Sequence, residues 1–253
     1  MKDSLLLYNL NIHNDWFPFL EEGNLQLILD IEKEIKDAEF TPEAGLVLRF
    51  LSQPLKTVKI IILGQDPYPQ PGVATGRAFE VGNLKSWNHP FKNISLKNIL
   101  RALYKAYTGD IIKFNLLKEK LDNEFPVLPP GKLFSHWEKQ GVLLLNTSFT
   151  CEPGKPGSHR YLWESFIKNL LLYINGQAPE ATWFLWGNHA REAVKGINLK
   201  NRIEIMHPMM CHEGEGRETD FLYGKINCFE QFVGKIDWTG FGFKRIGKAP
   251  LLF

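Results

Sequence analysis

Four short, almost uninterrupted apolar runs, at residues 58–63, 142–146, 182–186 and 202–206, are separated by segments long enough for helices. Strands that alternate between apolar and polar residues have one wet face; runs apolar on both faces are covered on both. The pattern therefore predicts an α/β chain of three layers, α/β/α, around a central four-stranded parallel sheet. The helix-length segments fall at about 25–36, 42–52, 95–107, 132–139, 161–174, 189–195 and 220–233. Thr41-Pro42 fits an N-cap followed by proline at the first helical position. Residues 108–131, with Gly109, Pro126, Pro129 and Pro130, read as an irregular surface excursion.

A length of 253 residues with 44% apolar content suits one domain spanning 1–253. The balance of 30 basic to 28 acidic residues neither demands nor forbids nucleic acid, so any basic groove must be local. Three cysteines, Cys151, Cys211 and Cys228, do not make a secreted disulfide framework, and a reducing cytoplasm is expected. The apolar run at 5–7 is too short for a secretory signal, and no stretch approaches the roughly 20 apolar residues of a membrane span. No internal repeat or low-complexity linker is present, and a monomer is the default.

The unusual residues lie at the strand exits. The first run ends in Gly64-Gln65-Asp66-Pro67-Tyr68, the second in Asn146-Thr147, the third in Trp186-Gly187-Asn188-His189, and the fourth delivers Met206-His207-Pro208. In an open parallel sheet the carboxyl ends of the strands form the ligand crevice, so an acid, an amide and an imidazole converge on one edge. Each taken singly has a structural reading: a turn aspartate, a strand-end amide, a core phenylalanine at 79, a turn histidine, an N-cap at Ser95. His207, Cys211 and His212 with Cys151 lack any standard zinc spacing, so neither a metal nor another cofactor is expected.

Taken in order, these segments resemble the uracil-DNA glycosylases of the widespread bacterial, eukaryotic and viral type. The resemblance rests on GQDPY at 64–68, Pro71-Gly72, Gly76 with Ala78-Phe79 and Val81, residues 140–147, Gly157-Ser158-His159, Trp186-Gly187 with His189-Ala190, and His207-Pro208. It runs from about Asp15 to Trp238.

The resemblance implies a metal-free hydrolysis of the N-glycosidic bond. Asp66 and His207 would be catalytic, the first stabilising the cationic sugar and orienting water, the second donating to O2 of the departing uracil anion. Phe79 would stack on the flipped base, Asn146 would read O4 and N3–H, Tyr68 would exclude a C5-methyl group, and Gln65 would contribute at the backbone. Ser95, Ser158, His159, Gly187 and Asn188 would meet phosphates. The implied partner is uracil-containing DNA, single- or double-stranded, with a proteinaceous DNA mimic as an inhibitor.

One loop departs from the family pattern. Where the family usually reads HPSPLS, this chain has His207-Pro208-Met209-Met210-Cys211-His212. Cys211 stands at the position of the leucine that wedges into the vacated stack, and Met209 at that of the first serine. The wedge is then Cys211 or a neighbouring methionine. Glu213 and Glu215 add acid to a DNA-facing loop. After Tyr68 the family usually has histidine and glycine; here Pro69-Gln70 follow. These departures leave two alternatives beside an active glycosylase: a DNA- or protein-binding relative with weakened turnover, and a sister enzyme with another base preference.

Overall fold

The computed structural model describes residues 4–242, with the Glu22 side chain left out. Four strands form one parallel sheet: β1 (Ile60–Gly64), β2 (Val142–Asn146), β3 (Thr182–Trp186) and β4 (Asn201–Ile205), in the order β2-β1-β3-β4. Strand β1 pairs in parallel with β2, Ile60 opposite Val142 and Gly64 opposite Asn146, and with β3, Ile60 opposite Thr182. The α/β class and strands β2 and β3 agree with the sequence reading; β1 starts two residues later than expected and β4 is displaced by one.

The described chain divides into two compact units, 4–83 with 141–203, and 84–140 with 204–242. In the first, helix α1 (Leu25–Ile35) buries Ile28, Ile31, Glu32 and Ile35, a spacing of three and four that turns one stripe inward. The buried Glu32 carboxylate accepts from the Ser4 hydroxyl and from the Leu6 amide at 2.8 Å, which offsets its desolvation. Their core includes Ile61, Leu63, Leu143 and Leu145 from the sheet with Trp16, Phe50, Phe149, Trp163 and Phe166. Phe149 and Trp163 meet edge to face at 5.0 Å. The alternate sheet residues Ile60, Ile62, Leu144 and Phe184 are also buried, which is why the runs read as continuously apolar.

Residues 42–52 do not form the one helix expected. A short helix α2 (Ala44–Val47) is followed by a 3-10 turn, Arg49–Ser52. Thr41, in place of capping, bridges Cys151, and the Thr41–Pro42 peptide is cis.

In the second unit, α3 (Ile94–Thr108) buries Leu96, Ile99, Leu100 and Leu103. The 108–131 excursion proves partly helical: α4 (Phe114–Lys120) lies inside it, with Leu117 buried, and α5 (Pro130–Lys139) begins at its last proline. Trp137 of α5 crosses Trp238 at 5.3 Å and donates to its carbonyl at 2.9 Å. The helix expected at 220–233 does not form; apart from a 3-10 turn at Glu230–Phe232 the segment is irregular. Its own side chains compete with the helix. The Asp220 carboxylate accepts from the Leu222 and Tyr223 amides at 2.8 and 2.9 Å, and the Asn227 carbonyl oxygen from the Phe229 amide at 3.0 Å. Two further helices, α6 (Arg160–Gln177) and α7 (Gly187–Ala193), flank β3 in the sequence and belong to the first unit. No helix among the described residues is long and apolar enough to cross a membrane.

Candidate active site

The first unit gathers Gln65, Asp66, Tyr68, Phe79 and Asn146. Gly64 and Asn146 end paired strands at the same register position. A Cβ on Gly64 would lie 2.3 Å from the Asn146 Oδ1 and 2.9 Å from the Ala78 Cβ, so only glycine lets the carboxamide cross the strand end. Asn146 is 5% exposed, and its carboxamide makes no hydrogen bond within the described residues. Beside it, the Gln65 carbonyl accepts from the amides of Thr147 and Ser148 at 3.2 and 3.0 Å, which staples the two strand exits together.

Asp66 follows. Its Oδ1 is buried with no hydrogen-bond partner. Burial raises the carboxyl above the ordinary aspartate value of 3.8; the Arg160 charge, the Gln65 side chain and the Gly157 backbone N–H oppose the rise without cancelling it. The loop beyond is anchored from below. The Cys151 thiol donates to the Pro67 carbonyl at 3.7 Å, the Thr41 hydroxyl to that of Tyr68 at 3.3 Å, and the Gly154 amide to that of Pro69 at 2.9 Å. Burial, then Asp66 and Glu152, push the Cys151 thiol up to about 11.

Phe79 has φ +66°, a left-handed backbone that a phenylalanine adopts only under constraint, and its half-buried ring lies 5.1 Å from that of Trp186. The constraint is a clasp: the buried Glu80 carboxylate accepts from Thr75 Oγ1 at 2.5 Å and from Arg77 Nη1 at 2.9 Å.

Of the expected phosphate contacts in this unit, the Ser158 hydroxyl accepts from the Glu152 amide at 2.8 Å, and Asn188, exposed at the start of α7, accepts from Arg191 at 3.0 Å. Gly187 is buried, with φ +86°. His159 is buried rather than presented. Its Nδ1 meets Thr150 Oγ1 at 3.0 Å, Trp163 donates to the same hydroxyl at 2.8 Å, and burial lowers the imidazole's pKa. The ring braces the loop that carries Ser158. Two neighbours have no role in the sequence reading. His189 Nε2 is 2.5 Å from Thr147 Oγ1, with its pKa lowered by burial and by Arg160, and Arg160 itself is exposed at the first turn of α6.

The second unit holds Ser95, His207 and the divergent loop. Ser95 is the second residue of α3, whose N-cap is Asn93. His207 opens a 3-10 turn, Pro208–Met210, and its Nδ1 accepts from the Met209 amide at 3.2 Å. Met209 and Met210 are 56% and 57% exposed, whereas the half-buried Cys211 thiol donates to the Pro208 carbonyl at 3.2 Å and is pushed up to about 12, chiefly by burial. The loop is held from beneath. Arg217 donates to the Met210 carbonyl and, at 2.8 Å, to the fully buried Asp220 carboxylate, while Asn98 donates to the Pro208 carbonyl at 2.7 Å.

The chain is similar to proteins of known kind. The family model for the uracil DNA glycosylase superfamily matches residues 53–232. Uracil-DNA glycosylase 1 of Listeria monocytogenes is 32% identical over 88% of this chain and 96% of its own length. The wild-type UNG of Nitratifractor salsuginis superposes with a TM-score of 0.64 at 25% identity, covering 81% of this chain and 87% of that one. A mimivirus UNG variant solved in complex with UGI gives 0.61 at 25% identity, covering 78% and 70%. With the match spanning strands β1 to β4 and every residue of the site, the chain belongs to the uracil-DNA glycosylase superfamily.

Proposed function

We propose that this protein flips uracil out of DNA and hydrolyses its N-glycosidic bond, releasing free uracil and leaving an abasic site for base excision repair. The observation that carries the reading is Asn146, a residue only 5% exposed whose carboxamide Oδ1 crosses the end of β1 against Gly64, two residues before Asp66, where its donor and acceptor can meet a base. Its donor and acceptor match O4 and N3–H of uracil; cytosine presents the reversed pair. Phe79 stacks on the base, and Tyr68 bars a C5-methyl group.

As the C1′–N1 bond breaks, its electron pair goes to N1 of uracil and positive charge develops on the sugar. Ionised Asp66 stabilises that charge and takes the proton of the water that adds to C1′. His207 is assigned to the other product. With Nδ1 accepting the Met209 amide, a neutral imidazole carries its proton on Nε2, the form that donates to O2 of the uracil anion. Backbone groups near Gln65 assist. Ser95, Ser158 and the Gly187-Asn188 turn meet phosphates, and the exposed Met209 and Met210, rather than the tied Cys211, fill the vacated stack.

DNA of either strandedness is the substrate, and a protein that mimics DNA is its inhibitor, a reading supported by the mimivirus relative's complex with UGI. None of the three cysteines forms a disulfide, which fits a reducing cytoplasm. The protein acts as a monomer. The test is a gel assay on oligonucleotides carrying one uracil, read after alkaline scission. Uracil release by the wild type and its loss in Asp66→Asn supports the reading. Binding without release identifies a binding relative, and cleavage only at another modified base a sister enzyme.

A further inference from the structure

A groove of about 830 Å³ runs between α6 and α7, starting at Thr147, Gly157 and His189. Its head adjoins the candidate active site directly. Thr147 follows Asn146 in the chain, the Gly157 N–H acts on Asp66, and His189 Nε2 meets the Thr147 hydroxyl. Arg160 stands there, exposed, and its guanidinium makes no hydrogen bond or ion pair within the described residues. Its charge is felt by both Asp66 and His189, which fixes it near the mouth.

The rest of the groove is suited to a flexible polyanion with flat bases. Tyr161, beside Arg160, is 70% exposed. Lys168, two turns along the same face of α6, lines the groove with no ion pair within the described residues. Of the two carboxylates in the lining, Glu192 is bound by Lys195 at 2.8 Å, and Glu164 lies one turn from both Arg160 and Lys168. The lining thus carries three cations, Arg160, Lys168 and Lys195, against two carboxylates. A cationic track with an exposed aromatic is the pairing that holds single strands: the cation takes a phosphate, the ring a base.

We propose that this groove is a second nucleic-acid site that receives the single-stranded flank of the uracil-bearing strand, Arg160 on a phosphate and Tyr161 under a base. The proposal rests on the glycosylase reading for its choice of strand, but its test does not depend on turnover.

The experiment measures fluorescence anisotropy of labelled, uracil-free single strands: a trinucleotide, and the same trinucleotide extended by four nucleotides on its 5′ or its 3′ side. One extension is expected to bind the wild type about tenfold more tightly than the trinucleotide, a gain typical of one stacked base and one phosphate. Arg160→Gln and Tyr161→Ala should each lose most of that gain. Arg160→Gln should also reduce the dependence of log affinity on log salt by about 0.7, as one lost single-strand phosphate contact requires, and Arg160→Lys should restore it. Thermal melts identify any variant that fails to fold, for which Lys168→Gln, tested the same way, substitutes. Equal gains in wild type and variants, or no gain in the wild type, overturn the proposal. Uracil release is scored separately: its absence sinks the glycosylase reading, while loss of the flank gain alone sinks only the groove.

Discussion

Replacing Gly64 with alanine tests how the base-reading amide is held. The added methyl would lie 2.3 Å from the Asn146 Oδ1 and 2.9 Å from the Ala78 Cβ, in a strand whose five residues are all buried. Since a carbon and an oxygen tolerate about 3.3 Å, the carboxamide must retreat by about 1 Å. A misplacement of that size at a positioned group can cost about a hundredfold in rate, which is the expected fall in single-turnover uracil release. Overpacking the strand end should also cost about 1–3 kcal/mol. For a chain of this size each kcal/mol is worth roughly 2–4 °C, so the melting temperature should fall by about 2–12 °C. The double variant with Asn146→Ala separates the two effects. With the amide gone, Gly64→Ala should add no further loss of rate and only part of its stability cost. Wild-type rate in Gly64→Ala, or losses that simply add in the double variant, would refute the claim that this glycine seats Asn146.

Other outcomes follow from the same geometry. Asp66→Asn should slow bond cleavage by about 10²–10⁴-fold with little change in DNA affinity. Because burial raises this carboxyl above 3.8, wild-type single-turnover rate should fall with decreasing pH at a higher pH than an exposed aspartate would give. Folded Asp66 ionises less readily than unfolded Asp66, so Asp66→Asn should melt higher near neutral pH, an advantage that vanishes as the solution is acidified below 3.8. Met210→Ala should reduce activity on duplex several-fold more than on single strands, whereas Cys211→Ala should change the ratio little; the reverse ranking would return the wedge to Cys211. Asp220→Asn removes the charge that holds Arg217 and should cost about 3–5 kcal/mol by chemical denaturation. Burial alone would raise the Asp220 carboxyl, but the Tyr223 and Leu222 amides, Arg217 and the His212 amide together lower it below 3.8. Its stabilisation is therefore complete above that value and is lost only as pH falls through the lowered one.

The sheet was legible because β1, β2 and β3 are apolar on both faces, and β2 and β3 fall at the residues their composition indicates, whereas β4 buries only Ile203 and Ile205. Helix expectations failed where side chains bond their own backbone. Asp220 and Asn227 claim nearby amides, and a Cβ on Gly224 would lie 2.4 Å from the Asp220 carbonyl, a tight turn that no periodicity signals. Helix α4 was hidden by the glycine and prolines around it, although Leu117 supplies its buried contact. The residues of the site were visible as motifs at strand exits. Their environment was not. That His159 is buried against Thr150 while His189, one strand later, meets Thr147 depends on tertiary placement, and nothing in either local sequence distinguishes the two. Arg160 was passed over because a lone arginine at a helix start is ordinary until its surroundings are known.

The backbone at Phe79 bears on how this protein could be altered in the laboratory. A left-handed phenylalanine stores about 1–3 kcal/mol that glycine or asparagine would release. A search for thermostable variants should therefore select changes at position 79, and each would discard the ring on which the base is to lie. Heat tolerance and uracil release would then move in opposite directions at this one residue, so a stabilised form of the protein should be sought with position 79 held fixed.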